Sequence, residues 1–225
     1  MPQPRQPFLH DLVCTLAAPT QALSAYDGQI GRTDVGSGEA RGTSVGAQGV
    51  LHADVRVLST AELLANGERP EHIATIVEGA ATRFIYAYRG GLGSTGHPDE
   101  LVRIDRLRRV EAGALTESLE VQPLGRAVAL ELSVRLAYDL APVERIKTGT
   151  ADDSLAFEAS ESLRWGDPDL AVELTCDGAA LAMSEDARTA EVRWTLALTP
   201  GRSESCAWSI AISDRTAVVV AASSI

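Results

Sequence analysis

The chain has 225 residues, with 31 acidic and 20 basic side chains and a formal net charge of −11. Nucleic-acid binding normally requires a basic surface, so this charge argues against a nucleic-acid partner and against an anionic membrane face. The three cysteines show no CxxC spacing, which predicts no zinc site and fits a reducing compartment. No signal peptide and no apolar run of about 18 residues is visible, so we expect a cytoplasmic protein.

Taken in order, the chain alternates short apolar stretches with turn signals. Residues 1–7 hold three prolines and are expected to form a loose arm, and residues 33–48, rich in Gly and Ser, a surface loop. The alternating stretches predict strands at 10–18, 21–25, 71–91 as a hairpin, 101–110, 115–122, 128–138, 163–165, 170–176, 179–184, 191–198, 206–212 and 216–221. About a dozen strands without a long helix are typical of a large antiparallel β-sandwich, the fold class predicted here.

The clearest alternation lies at residues 128–138. The even-numbered positions from Val128 to Tyr138 are apolar and are predicted to face the core. Glu131, Ser133 and Arg135 are predicted to face water.

Residues 49–70, GVLHADVRVLSTAELLANGERP, form the stretch around which the chain is organised. We predict an extended strand that continues to a turn at Asn66-Gly67. Asp54 and Arg56 are two residues apart, so in a strand they share a face and are predicted to form a structural ion pair. With His52, they are also candidates for contact with a sugar or with another domain.

This stretch resembles the signature of the N-terminal domain of bacterial amylo-alpha-1,6-glucosidase-like proteins, which are glycogen-debranching-enzyme-like. The resemblance rests on residues 49–59, with Asp54-x-Arg56, and on Asn66-Gly67 and Pro70 at the family spacing. It extends more weakly through residues 101–106, 117–136, 137–141 and 196–201. Family members usually carry Arg where this chain has Ala53 and Thr where it has Val55.

The resemblance implies a β-supersandwich of the galactose-mutarotase-like type, here expected to be a single domain over residues 1–225. In such proteins a C-terminal helical toroid carries the catalytic carboxylates, and that domain is expected downstream of Ile225. His52, Asp54, Arg56, Asn66 and Gly67 are then structural or domain-interface residues. The expected role is a non-catalytic brace of the glycoside hydrolase domain that helps to shape an α-glucan cleft.

Two alternatives stay open. One is an autonomous carbohydrate-binding module. The other is a mutarotase-like sugar enzyme, which needs a histidine and carboxylates together in the cleft of the sandwich. No cofactor and no metal are expected under any of these hypotheses.

Phe84, Tyr86 and Tyr88 alternate along one strand and share a face. Aromatic side chains at this spacing usually belong to the core, although sugars also stack on such faces. This face and the strand around His52 and Arg56 are the predicted contact surfaces for the catalytic domain. Without that domain, weak homodimers are expected through one of them.

Two further motifs are given a structural interpretation. Residues 91–96 match GxGxxG, but His97-Pro98 follows instead of a helix, which argues against a dinucleotide site. The carboxylates Asp152, Asp153, Glu158 and Glu161 lie in a polar connection, where solvated charge is the default and catalysis is not predicted.

Overall fold

The computed structural model describes residues 12–31, 47–90, 102–151, 154–158 and 163–216. Within these ranges nearly all of the regular secondary structure is β-strand, with one short helix. The elements are β1 Val13–Ala17, β2 Thr20–Ser24, β3 Gly49–His52, β4 Val55–Leu58, β5 Thr60–Ala65, β6 Glu71–Glu78, β7 Ala81–Tyr88, β8 Val102–Glu111, β9 Ala114–Pro123, β10 Val128–Ala137, α1 Val143–Lys147, β11 Arg164–Gly166, β12 Leu170–Cys176, β13 Ala180–Met183, β14 Ala190–Leu198 and β15 Glu204–Asp214. The predicted all-β fold is confirmed.

The strands form three antiparallel sheets. Sheet A has the order β1-β2-β3-β4, sheet B the order β13-β14-β10-β5, and sheet C the order β11-β12-β15-β9-β8-β7-β6. One hydrophobic core cluster draws buried side chains from all three sheets. The β1–β2 hairpin lies over strands β7 and β8, and β14 packs against β9 and β15.

The period-two alternation of the long strands accounts for this layering. Along β10 the predicted inward residues from Leu130 to Leu136 are buried, and Glu131 and Arg135 are exposed. Ser133, predicted to face water, is buried instead, and its hydroxyl donates to the Glu191 carboxylate at 2.7 Å. A hydroxyl is tolerated in this position because its hydrogen bond offsets the loss of water.

Three charged side chains occupy inward positions of sheet C. Arg106 and Arg108 on β8 and Glu117 on β9 have no solvent exposure. Arg106 Nε lies 2.9 Å from Glu117 Oε2, and Arg108 Nε lies 2.7 Å from Glu117 Oε1. The carboxylate therefore joins both guanidinium groups inside the core, and we call this set the buried triad.

Several predicted features lie outside the described residues. They are the loose arm at 1–7, most of the loop at 33–48, the GxGxxG motif at 91–96, the carboxylates Asp152, Asp153 and Glu161, and the strand predicted at 216–221 beyond Thr216. Glu158 is described and is exposed. Within the described ranges, no helix has the length and apolar character needed to cross a membrane.

The buried triad should dominate the response of the fold to charge substitution. Replacing Glu117 by Gln leaves two buried guanidinium groups without an anion, and we expect a loss of about 3–5 kcal/mol in the free energy of unfolding. Urea unfolding followed by tryptophan fluorescence measures this loss. Glu120→Gln, an exposed position on the same strand, is the matched control and should change stability by less than about 0.5 kcal/mol. Equal effects of the two substitutions would contradict the prediction.

Candidate functional site

The stretch at residues 49–67 folds as three strands rather than one. β3 ends at His52, a turn at Ala53 and Asp54 reverses the chain, and β4 runs back along β3. Ala53 has a φ of 50°, in the left-handed region that such a tight reversal requires. The prediction of one extended strand is therefore wrong, because the chain reverses between His52 and Val55.

The predicted pairing of Asp54 with Arg56 is wrong for the same reason. Asp54 lies in the turn and is exposed, whereas Arg56 is buried in β4. Arg56 forms its ion pair with Asp139, which follows β10. Residues on opposite sides of a reversal do not share a strand face.

Arg56 and Asp139 form a two-point contact. Arg56 Nε donates to Asp139 Oδ1 at 3.1 Å, Nη2 donates to Oδ2, and Nη1 donates to the Gln48 carbonyl at 3.1 Å. Asp139 Oδ1 also accepts the Ala141 N–H. A Cβ at Gly49 would lie 2.4 Å from Arg56 Cδ, so glycine leaves the room that the guanidinium stem occupies. The pair fastens sheet A to the segment after β10.

Asn66 and Gly67 form the turn predicted after β5. Asn66 Nδ2 donates to the Tyr88 hydroxyl at 3.1 Å, and Asn66 Oδ1 accepts the Glu131 N–H at 2.8 Å. Both turn residues have positive φ, 48° and 79°. Asn66 therefore has two roles. It begins the turn that ends β5, and its side chain joins that turn to β7 and β10.

The aromatic stripe lies inside the sandwich. Phe84, Tyr86 and Tyr88 are all buried. The Tyr86 hydroxyl donates to the Asp27 carbonyl at 2.6 Å, and the Phe84 ring packs against the Arg108 guanidinium. The stripe is a core element and presents no exposed aromatic platform. The exposed apolar side chains of this region lie instead on the edge strand β6, at Ile73, Ile76 and Val77.

His52 lies beside the main candidate site, a cavity of about 380 Å³ between the β3–β4 turn and the ends of β12 and β15. Its Nδ1 is 2.9 Å from Thr20 Oγ1, and its Nε2 is 3.6 Å from Asp214 Oδ2. Thr20 Oγ1 already accepts the Gly113 N–H, so its own hydrogen is available to His52 Nδ1. In the neutral tautomer in which Nδ1 accepts from Thr20, Nε2 carries the hydrogen and faces Asp214 Oδ2.

Four aspartates line the same cavity, which we call the His52 pocket. They are Asp54, Asp167, Asp169 and Asp214. Asp167 Oδ1 accepts the N–H groups of Asp169 and Leu170, at 2.8 and 2.9 Å, and Asp214 Oδ1 accepts the Thr216 N–H at 2.8 Å. Carboxylate oxygens at the rim of such a pocket are suited to accept hydrogen bonds from the hydroxyl groups of a sugar. Within the described ranges, no group of three or more His, Cys, Asp and Glu is arranged to hold a metal ion.

The structure brings His52 and Asp54 to one pocket but directs Arg56, Asn66 and the aromatic residues into structural contacts. Sequence reasoning missed Asp167, Asp169 and Asp214 as neighbours of His52. The turn sequence Asp167-Pro168-Asp169 does not indicate that this turn lies near His52, which is more than 100 residues away in the sequence. Asp139 lies in residues 137–141, a segment already included in the family resemblance, but nothing in the sequence indicated its pairing with Arg56.

Loss of the Arg56–Asp139 contact should destabilise the fold. Asp139→Ala removes the carboxylate that pairs with the buried Arg56 guanidinium, and we expect a loss of about 3 kcal/mol in the free energy of unfolding. Asp54→Ala, at an exposed turn, should change it by less than about 0.5 kcal/mol. Chemical denaturation of both variants gives the comparison. A large effect of Asp54→Ala with little effect of Asp139→Ala would reverse this assignment.

His52 should make stability depend on pH. Burial lowers the pKa of His52, and the nearby Asp214 carboxylate opposes that effect only in part. Below the ordinary histidine pKa of about 6.5, the unfolded chain therefore gains a proton that folded His52 does not take up. The free energy of unfolding should then fall as the pH drops from 7.5 to 5.5. The fall should be steeper in the parent than in His52→Gln, by at most about 1.4 kcal/mol per pH unit. Urea midpoints at a series of pH values measure both slopes, and equal slopes would contradict the prediction.

The comparisons with known proteins give one family and a set of structural neighbours. The family model for the N-terminal domain of some glycogen debranching enzymes matches residues 17–209. No curated protein matches the chain.

Among solved structures, a protein assigned as an aldose 1-epimerase from Escherichia coli K12 superposes with a TM-score of 0.56 at 10% identity. The match covers 90% of this chain and 99% of that one. A protein assigned as a kojibiose phosphorylase from the human microbiome superposes with a TM-score of 0.52 at 7% identity, covering 88% of this chain and 30% of that one. At these identities the two neighbours establish only the fold of this chain, which is a β-sandwich like that of the protein assigned as an aldose 1-epimerase.

The family match spans most of the chain, includes the stretch that forms the β3–β4 hairpin and the Arg56 contact, and agrees with the all-β architecture. The chain belongs to the family of N-terminal domains of glycogen debranching enzymes.

Proposed function

We propose that this chain is the non-catalytic N-terminal domain of a glycogen-debranching-type amylo-alpha-1,6-glucosidase, and that it braces the glycoside hydrolase domain of the same protein. The family match over residues 17–209 carries this proposal. Further support comes from the kojibiose-phosphorylase-assigned structure, in which a fold of this type makes up 30% of a longer chain. The three cysteines are free, which supports the proposed cytoplasmic location.

The carboxylates of the described chain favour a non-catalytic role. Glycoside hydrolysis uses one carboxyl group kept protonated by burial and a second one kept ionised. Burial alone would raise the pKa of Glu117, but Arg106 and Arg108 outweigh it and the pKa is lowered. Glu117 therefore stays ionised and cannot act as the acid. In the His52 pocket, Asp167 and Asp214 each use one oxygen to hold a turn.

We place the contribution to the carbohydrate cleft at the His52 pocket. Asp54, in the β3–β4 turn, and Asp169, in the turn before β12, both line the pocket and are exposed. Their carboxylate oxygens can accept hydrogen bonds from a ligand with many hydroxyl groups. Neither side chain is part of the hydrophobic core. In this role the pocket positions one end of an α-glucan chain while the other domain supplies the chemistry.

The isolated chain should not hydrolyse isomaltose or a limit dextrin, because the described residues hold no desolvated pair of carboxyl groups that could serve as acid and base. In a protein that includes the catalytic domain, Asp54→Asn with Asp169→Asn should raise KM severalfold with kcat within about twofold, as expected for lost ground-state binding. Steady-state kinetics on a limit dextrin measures both constants, with Glu120→Gln as the surface control. Turnover by the isolated chain that is abolished by one carboxylate substitution would overturn the proposal. Strong glycan-array binding by the isolated chain would favour an autonomous carbohydrate-binding module.

One observation favours a second candidate function. The His52 pocket places a histidine beside carboxylates, which is the set that a mutarotase-like enzyme needs for proton transfer at a sugar anomeric centre. The match to the protein assigned as an aldose 1-epimerase covers 99% of that protein, so a sandwich of this type makes up its whole chain. Polarimetry separates the two candidates, because only an epimerase would accelerate the mutarotation of a fresh glucose anomer and lose that activity in His52→Gln.

A further inference from the structure

Asn66 is the only asparagine among the 225 residues, and a glycine follows it. The two residues form a tight turn between Ala65 and Glu68. The Ala65 N–H donates to the Glu68 carbonyl at 2.8 Å, and the Glu68 N–H donates to the Ala65 carbonyl at 3.0 Å. Positive φ at both turn positions is the type I′ geometry that asparagine followed by glycine adopts readily.

The Gly67 nitrogen is accessible. Asn66 and Gly67 are both exposed, and within the described chain no hydrogen bond engages the Gly67 N–H. A Cβ at Gly67 would meet no atom within 4 Å, so the space around this residue is open. Glycine also has no side chain of its own to hinder a close approach to its backbone nitrogen. The Asn66 side-chain amide can therefore reach this nitrogen once it turns toward it.

The Asn66 side chain is directed elsewhere in the folded protein. Its Oδ1 accepts the Glu131 N–H at 2.8 Å, and its Nδ2 donates to the Tyr88 hydroxyl at 3.1 Å. The Asn66 N–H donates to the Glu131 carbonyl at 2.7 Å. Both ends of the side-chain amide are thus held by the neighbouring strands β7 and β10.

We propose that Asn66 is a deamidation site of this protein, and that its hydrogen bonds to Tyr88 and Glu131 set the rate of the reaction. The Gly67 nitrogen gives up its proton and bonds to Asn66 Cγ, the Cγ–Nδ2 bond breaks, and the side-chain nitrogen leaves as ammonia with that proton. The product is a five-membered imide ring. Water then opens the ring at one of its two carbonyl carbons and leaves aspartate or isoaspartate. One water is consumed, one ammonia is released, and no oxidant or reductant takes part.

Ring closure requires the turn to open locally. The ring contains Asn66 Cγ and the Gly67 nitrogen, so the amide must swing away from β7 and β10 toward the following peptide. The bond from Nδ2 to the Tyr88 hydroxyl is lost, because Nδ2 is the leaving group. The population of the locally opened turn therefore controls how fast the folded protein reacts.

The product no longer ties the turn to its neighbours. A carboxylate at residue 66 has no N–H to donate to the Tyr88 hydroxyl. Isoaspartate also routes the backbone through Cβ, which lengthens the chain between Ala65 and Glu68, where two hydrogen bonds fix the length of the turn. The modified chain should therefore unfold at a lower temperature than the unmodified chain.

Mass spectrometry of the full chain, incubated at mildly alkaline pH with and without urea, measures the reaction. Trypsin releases residues 57–83 as one fragment, because Arg69 precedes a proline. This fragment contains no glutamine and no aspartate, so a gain in mass from amide to acid, or any isoaspartate in it, comes from Asn66. The reaction should be at least about tenfold slower in the folded chain than in urea. Equal rates in the two states, or no conversion of this fragment in urea, would overturn the proposal.

A pair of matched variants tests the role of the Tyr88 hydroxyl. Tyr88→Phe removes the partner of Asn66 Nδ2 and should speed deamidation of the folded chain severalfold while leaving the rate in urea unchanged. Tyr138→Phe removes a hydroxyl that donates to the Ala156 carbonyl, away from the turn, and should keep the parent rate in both states. Equal acceleration by the two variants would indicate a general loss of stability and would contradict control by this contact.

The modified chain carries one more negative charge and can be separated from the unmodified chain by ion exchange. Thermal unfolding of the two fractions should give a lower Tm for the modified one. An equal Tm would show that the Asn66 contacts do not stabilise the turn, and the proposed control of the reaction by these contacts would fail with it.

Discussion

The Glu117 carboxylate is the contact on which the interior of this sandwich depends. Its two oxygens hold two buried guanidinium groups on the neighbouring strand, and those groups reach the Gly28 and Ala61 carbonyls outside sheet C. Burial of apolar surface is not directional, so it brings sheets together without fixing their relative placement. The hydrogen bonds of the buried triad are directional and fix how the segment at residues 28–30 and strand β5 lie on the large sheet.

The stretch at residues 49–67 has a comparable role between the sheets. Arg56 joins sheet A to the chain that leaves β10, Asn66 joins β5 to β7 and β10, and His52 lies against Asp214 at the end of β15. Apart from the Asn66–Glu131 hydrogen bond, which lies within sheet B, these contacts link one sheet to another or to the chain that leaves it. The signature residues are therefore found where the layers meet, and the His52 pocket opens at one of these meeting points.

Period-two alternation and turn pairs predicted the strands well. The hairpins around Gly79 and Gly113, and the inward residues of β10, follow from local sequence alone. The hairpin that Asp177-Gly178 predicts is not formed, because β12 pairs with β15 in sheet C and β13 pairs with β14 in sheet B. The reversal at Ala53 was missed because alanine carries no turn preference and its positive φ is imposed by the surrounding contacts. Asp139, Asp214 and Glu117 could not be assigned for a different reason. Their partners are distant in sequence, and a single sequence does not indicate which buried charges meet. Arg106 and Arg108 at inward positions of an alternating strand were the one local sign of a buried polar network.

The position of β15 has a consequence for how the chain is synthesised and folded. β15 is the last described strand in sequence, yet it lies inside sheet C between β12 and β9. Strands β6 to β9 are consecutive neighbours and can pair while the ribosome is still extending the chain, but β11 and β12 have no place on the sheet until residues 204–214 have emerged. Such late, long-range pairing slows folding and leaves the open edges of β9 and β12 exposed during translation. A chain interrupted shortly before residue 204 would hold two partial sheets that no remaining strand can join.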